Sequence, residues 1–130
     1  KPGKPILFSK IKSGTAFFGL PGNPVSTAAC FRFFVLPFIF NSLEYFGDVP
    51  IKAKLKNRFE KKKNFTRFIK GKLVISKKGQ SEFKVLSGQE SYKIKTLGKS
   101  NVWGQFNNGY TTFKKGDLIN CRTTFGVNFF

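Results

Sequence analysis

Residues 17–26 read Phe17-Phe-Gly-Leu-Pro-Gly-Asn-Pro-Val-Ser26, and within them the chain changes from strand to helix. Before the stretch, Ile6–Ile11 and Thr15–Leu20 read as two short strands around a Lys-Ser-Gly turn at 12–14. Pro21-Gly22 then breaks the extended pattern. Asn23 is a natural helix cap, because its side-chain oxygen can accept an orphan backbone N–H. Pro24 follows at the first helical position, where its missing N–H is no loss. The helix is expected to run to about Tyr45, with Gly47 near its stop. Pro37 falls inside it and should kink it. Nearly every face between Ala28 and Phe40 is apolar, so the helix should be covered by protein on most sides. That run is interrupted by Arg32 and is shorter than the roughly 20 residues that cross a bilayer, so no membrane partner is expected.

After Asp48-Val49-Pro50 the pattern changes again. Short segments rich in β-branched and aromatic residues follow at Ile51–Leu55, Arg67–Ser76, Glu82–Leu86, Tyr92–Leu97, Gly109–Phe113 and Leu118–Thr124. Turn signals at Lys78-Gly79, Ser87-Gly88 and Lys115-Gly116-Asp117 separate them. Residues 60–64 read as a solvated loop. The fold class is therefore α/β plus all-β. Residues 1–47 form the end of an α/β domain, and residues 48–130 form a small β-barrel.

The chain holds 130 residues with 24 Lys and Arg against 6 Asp and Glu, a formal charge of +18. Such a charge is the electrostatic precondition for binding nucleic acid or an anionic surface. Here the lysines are spread along the whole chain. Phe, Lys and Asn are all abundant, a bias that AT-rich codons would also produce. With no His and no Cys cluster, a zinc site or a Ser-His-Asp triad cannot be built from this chain. Cys30 and Cys121 form no paired motif, which favours a reduced, cytoplasmic protein. The sequence contains no Met, so a C-terminal fragment or a processed form is the expected origin.

The first-turn amides of a helix point outward with a partial positive charge, which suits an anion. Ser26, three residues past the cap, adds a hydroxyl. Residues 1–5 read Lys-Pro-Gly-Lys-Pro, and Lys1 and Lys4 on that braced turn could bring ammonium groups to the same place as partners for a tetrahedral oxyanion. Each motif has a plainer reading. A capped strand-to-helix turn is common in structures, and lysines are often surface charges.

Taken together, "KPGKP", the strand pair, "FFGLPGNPVS" and a long helix with an interior Pro resemble the C-terminal part of the molybdopterin molybdenumtransferases. This is the MoeA family, related to the gephyrin E domain. "KKGDLI" at 114–119 resembles the family's terminal Lys-x-Gly-Asp strand. The resemblance implies insertion of molybdate into adenylated molybdopterin with release of AMP, assisted by magnesium, in a homodimeric enzyme. It implies one site wall made of Lys1, Pro2, Lys4, Pro21, Gly22, Asn23 and Ser26. From the barrel it implies anion contacts among Arg67, Lys70 and Ser100. Lys70 stands where the family carries an arginine, with Arg67 three residues earlier. The catalytic acids and the magnesium ligands are expected upstream of this chain, which is expected to be inactive alone. The alternative is a basic barrel that stacks nucleic-acid bases on Phe68, Tyr92 and Trp103. The resemblance argues against it.

Overall fold

The computed structural model describes residues 6–125. Strands β1 (Leu7–Lys10) and β2 (Ala16–Gly19) form the expected hairpin, with Leu7 opposite Gly19 and Lys10 opposite Ala16. Helix α1 (Pro24–Cys30) starts where the sequence places it. The Asn23 side-chain oxygen accepts from Val25 N at 3.1 Å and Ser26 N at 3.4 Å. The discontinuity expected at Pro37 takes the form of a π turn over Phe31–Val35, after which α2 (Leu36–Ser42) continues. Pro37 cannot donate to the preceding turn, and its ring crowds the carbonyl four residues back. The widened turn, with Leu36 N bonded to Phe31 O, relieves that crowding.

The helix stops earlier than the sequence suggests, and without glycine. Glu44 takes the left-handed conformation at φ 54°. Glu44 N donates to Asn41 O at 3.1 Å and Tyr45 N to Phe40 O at 2.8 Å. The rings of Phe40 and Tyr45 close the motif at 5.0 Å. This is a Schellman ending with Glu at the position glycine usually fills, so Gly47 is not the stop.

Five strands close the barrel in the order β3 (Ile51–Leu55), β6 (Ser81–Val85), β5 (Arg67–Ile75), β7 (Val102–Phe106) and β9 (Leu118–Thr123), with β9 returning to β3. All pairings are antiparallel except β3 with β6. Alternate residues point inward: Ala53, Leu55, Ile69, Phe83, Val102, Phe106, Ile119 and Cys121 fill the interior. The Phe83 ring occupies space left by Gly71 on β5 and Gly104 on β7, where a Cβ would overlap it. A two-residue pair, β4 (Phe59–Glu60) with β8 (Thr112–Phe113), adds Phe59 and Phe113 to that core.

Two expectations for this half fail, and one barrel strand, β7, was not among those expected. Tyr92–Leu97 was expected as a strand, and the chain there instead forms helix α3 (Ile94–Lys99). The period-2 residues Tyr92 and Ile94 are exposed, whereas Leu97 is buried against Val25 and Trp103. The helix thus carries Leu97 onto Val25 of α1 and the outer face of β7 at Trp103. Lys61, placed in a solvated loop by the sequence, is also buried. Its ammonium donates to Tyr110 O at 2.7 Å and lies over the Phe113 ring.

The helix does not receive the cover its composition requires. Among the described residues Phe31, Phe34, Phe38 and Ile39 stay exposed, as do Leu7, Phe8, Ile11 and Phe17 of the hairpin. The helical run Pro24–Ser42 is 19 residues long, enough by length and composition to cross a bilayer, although its apolar core was read as shorter.

The two helix ends give opposite predictions. Asn23→Ala should destabilise the protein by about 1 kcal/mol, since one side-chain oxygen serves two amides. Glu44→Gly should stabilise it by about 1 kcal/mol, because the left-handed conformation disfavours a side chain. Thermal melts of the two variants should move in opposite directions from wild type.

Candidate functional site

The helix is fixed on the barrel by a buried charge cluster. Arg32 is 1% exposed and the Asp48 side chain 7%. The Arg32 guanidinium grips both Asp48 oxygens, at 2.9 and 2.7 Å, and its Nε donates to Thr123 O on β9 at 2.7 Å. Arg122, also on β9, donates to Asp48 O at 2.6 Å and to Oδ2 at 3.1 Å. Burial pushes the Asp48 carboxyl up, but hydrogen bonds and charge from Arg32, then Arg122, outweigh it and hold it below its ordinary value. Beside this cluster Val25, Leu97 and Trp103 pack together with Ala28, Ala29, Phe33 and Phe68. Phe33 stacks on Phe68 at 3.8 Å, and Trp103 Nε1 donates to Thr124 O at 3.3 Å.

Docking the helix this way opens a cleft of about 730 Å³ between the first turn of α1 and the start of β5. Pro21, Val25 and Ser26 line one side, and Arg67, Phe68 and Lys70 line the other. Pro21, Ser26, Arg67 and Lys70, singled out from the sequence, thus meet at one place. Gly22, Asn23 and Ser100 are not among its lining residues, and Lys1, Pro2 and Lys4 lie outside the described residues.

The chemistry of the site differs from the sequence reading in three respects. First, the helix amides are not free for an anion. Pro24 has none, Val25 N and Ser26 N bond the Asn23 side chain, and Thr27 N donates to Asn23 O at 2.8 Å. Thr27 Oγ1 turns back to Pro21 O and Asn23 O. What this wall offers is the Ser26 hydroxyl, which has no partner among the described residues.

Second, the Lys70 side chain is buried. Its ammonium donates to Glu90 O at 3.2 Å and Lys93 O at 3.4 Å. Burial lowers its pKa and the Lys93 charge adds to that, against an opposing effect of Glu90. Arg67 is exposed, with its guanidinium 5.9 Å from the Phe59 ring, and forms no ion pair among the described residues.

Third, Ser100 closes helix α3. Its hydroxyl donates to Leu97 O at 2.7 Å and lies 3.4 Å from the Thr124 hydroxyl. The serine from this part of the chain that lines the cleft is Ser91, joined there by Lys62 and Gln89. The sequence reading passed over all three because they sit in segments without a pattern of their own. Cys30 also borders the cleft, with burial raising its thiol pKa, and Cys121 is pushed up to about 12 inside the barrel. Phe68 and Trp103, which a base-stacking face would need exposed, are packed under the helix. Tyr92 is exposed.

A strand-turn-helix unit pinned to a closed five-stranded barrel, with a cationic cleft at the joint, defines the class. Residues 52–121 match the family model for the MoeA C-terminal region, domain IV. The chain is 32% identical over 128 residues to a molybdopterin molybdenumtransferase of Staphylococcus aureus, covering 95% of this chain and 30% of that protein. It is 33% identical over 105 residues to a molybdopterin molybdenumtransferase of Synechocystis, covering 71% of this chain and 24% of that one. A molybdopterin biosynthesis MoeA protein from Pyrococcus horikoshii superposes with a TM-score of 0.72 at 21% identity, over 95% of this chain and 30% of its own. The chain belongs to the MoeA family of molybdopterin molybdenumtransferases, and spans less than a third of the length of these relatives.

The charge cluster predicts an acid limit to stability. The folded Asp48 pKa lies below its ordinary value near 3.8. Its contribution is therefore present above that value and is lost as pH falls through the lowered folded pKa. Urea midpoints should drop with pH below about 4, and Asp48→Asn should flatten that drop. Asp48→Ala, which strands a buried guanidinium, should cost about 3–5 kcal/mol at neutral pH.

Proposed function

We propose that this chain supplies the oxyanion-holding wall and the barrel of an enzyme of molybdenum cofactor biosynthesis. The complete enzyme inserts molybdate into adenylated molybdopterin and releases AMP. The observation that carries the reading is the cleft. Arg67 and Lys62 bring cationic groups, and Ser26 and Ser91 bring hydroxyl groups, to one concave surface with an apolar floor of Val25, Ala29 and Phe68. Cations suit a tetrahedral oxyanion, and hydroxyl donors fix its orientation. The apolar floor suits the ring system of a bound cofactor precursor. Lys1 and Lys4 are proposed to complete the anion site.

Residues 1–47 are proposed to be the end of a larger α/β domain and 48–130 a barrel domain. The exposed apolar flank of the hairpin and helix is the physical ground for the first part, since such a face needs cover. The enzyme is proposed to be a cytoplasmic homodimer, and this chain alone to be inactive. Magnesium, which the family resemblance implies, does not fit the residues at hand. Among the described residues no three His, Cys, Asp or Glu side chains come together, and Asp48 is taken up by two arginines. No step is assigned to a metal on these residues.

Equilibrium titration of the chain with molybdate tests the site. Arg67→Ala and Ser26→Ala should each weaken binding about tenfold, the equivalent of one charge-assisted hydrogen bond. Lys72→Ala, on the barrel exterior, should leave it unchanged. Equal affinities in all four proteins would overturn the assignment.

A further inference from the structure

Five hydrogen bonds tie residue 70 to the segment 86–93. Lys70 N donates to the Gln89 side-chain oxygen at 2.9 Å, and Gln89 Nε2 donates back to Lys70 O at 2.7 Å. Leu86 N donates to Lys70 O at 3.2 Å, and the Lys70 ammonium reaches Glu90 O at 3.2 Å and Lys93 O at 3.4 Å. Gln89 Nε2 also lies 2.6 Å from Leu86 O, which closes the segment on itself. The segment has no ladder of its own beyond β6. Ser91 lies between the two carbonyls that Lys70 holds, and it lines the cleft.

We propose that Lys70 and Gln89 are positioning residues that clamp the 86–93 loop and present Ser91 to the anion. The barrel's direct contacts are then Ser91, Arg67 and Lys62. This assignment rests on the reading of the cleft as an oxyanion site. An ammonium has three donors. Two of those on Lys70 are directed at backbone carbonyls, and the residue is 1% exposed, so two of its three hydrogen bonds go to loop geometry. Gln89 does the same work without charge. It imitates a strand partner for Lys70, accepting from its N–H and donating to its C=O. Without the clamp, the backbone of 89–93 would lose its connection to β5. The Ser91 hydroxyl would then sample many positions, and few of them would line the cleft.

The test is a double-mutant cycle for molybdate affinity, paired with hydrogen exchange in the absence of molybdate. Lys70→Met and Gln89→Leu keep side-chain volume, and circular dichroism checks that both are folded. If Lys70 acts through Ser91, Lys70→Met and Ser91→Ala should each weaken molybdate about tenfold, and the double variant should be no weaker than about twofold beyond Ser91→Ala alone. Multiplicative losses would make Lys70 a direct anion contact and overturn the proposal. The hydrogen-bonded amides of the segment, Leu86 and Lys93, should exchange at least about tenfold faster in Lys70→Met and Gln89→Leu than in wild type, with β7, and β5 apart from residue 70 itself, unchanged. Unchanged exchange in both variants would also overturn it. If wild type fails to bind molybdate, the oxyanion reading fails and the cycle is void. The exchange arm still decides whether the clamp exists.

Discussion

The two-pronged grip of Arg32 on Asp48 is the constraint on which the rest of the molecule depends. Arg32 sits in the π turn of the helix, and its Nε reaches the Thr123 carbonyl of β9. Asp48 follows the helix in sequence and also receives Arg122 from β9. One carboxylate therefore ties together the helix, the connection leading away from it and the barrel. Burying a guanidinium and a carboxylate is costly unless geometry satisfies both. Here both Asp48 oxygens and three Arg32 nitrogens find partners. Such a network adds little net stability over an apolar joint of the same shape, but it tolerates only one orientation. That orientation places Val25 over Trp103 and leaves the cleft open beyond them.

The parts of the fold that could be read from sequence are those set by local chemistry. The hairpin, the Asn23-Pro24 start and four of the five barrel strands follow from turn residues, caps and period-2 patterns, each within a few residues of the observed bounds, whereas β7 was not read. The parts that could not be read depend on contacts between distant segments. Residues 92–97 alternate like a strand, and become helical because Leu97 finds Val25 and Trp103. Lys61 looks solvated until the Tyr110 carbonyl arrives from another loop. Arg32 was visible as the one charge in an apolar helix. Its partner, 16 residues on, had no pattern to announce it.

The candidate site divides the same way. Ser26 and Pro21 could be placed because a cap fixes its own first turn, and Arg67 and Lys70 could be placed near them through resemblance to a family pattern. What pattern could not supply was the state of each donor. The same Asn23 that marks the helix start also satisfies the amides that an anion would need. Lys70 occupies a position where charge is expected, yet its ammonium is directed at carbonyls. Ser100 is a serine in the expected region whose hydroxyl is consumed by a helix end, while Ser91 faces the cleft.

These differences change what kind of anion site is proposed. A site built on helix amides carries fixed dipoles and depends little on side-chain rotamers. A site built on Arg67, Lys62, Ser26 and Ser91 depends on flexible groups, each of which loses conformational freedom when an anion binds. Preorganisation must then come from the surroundings. For Ser26 it comes from the capped first turn, and for that turn from the Arg32–Asp48 joint that holds the helix against the barrel. For Ser91 it comes from the bonds between Lys70, Gln89 and the loop. The buried ionic joint and the loop clamp thus serve the same end from opposite sides of the cleft. On this proposal each holds in place the backbone that carries a hydroxyl, and Arg32 and Lys70, each about 1% exposed, act in that supporting role.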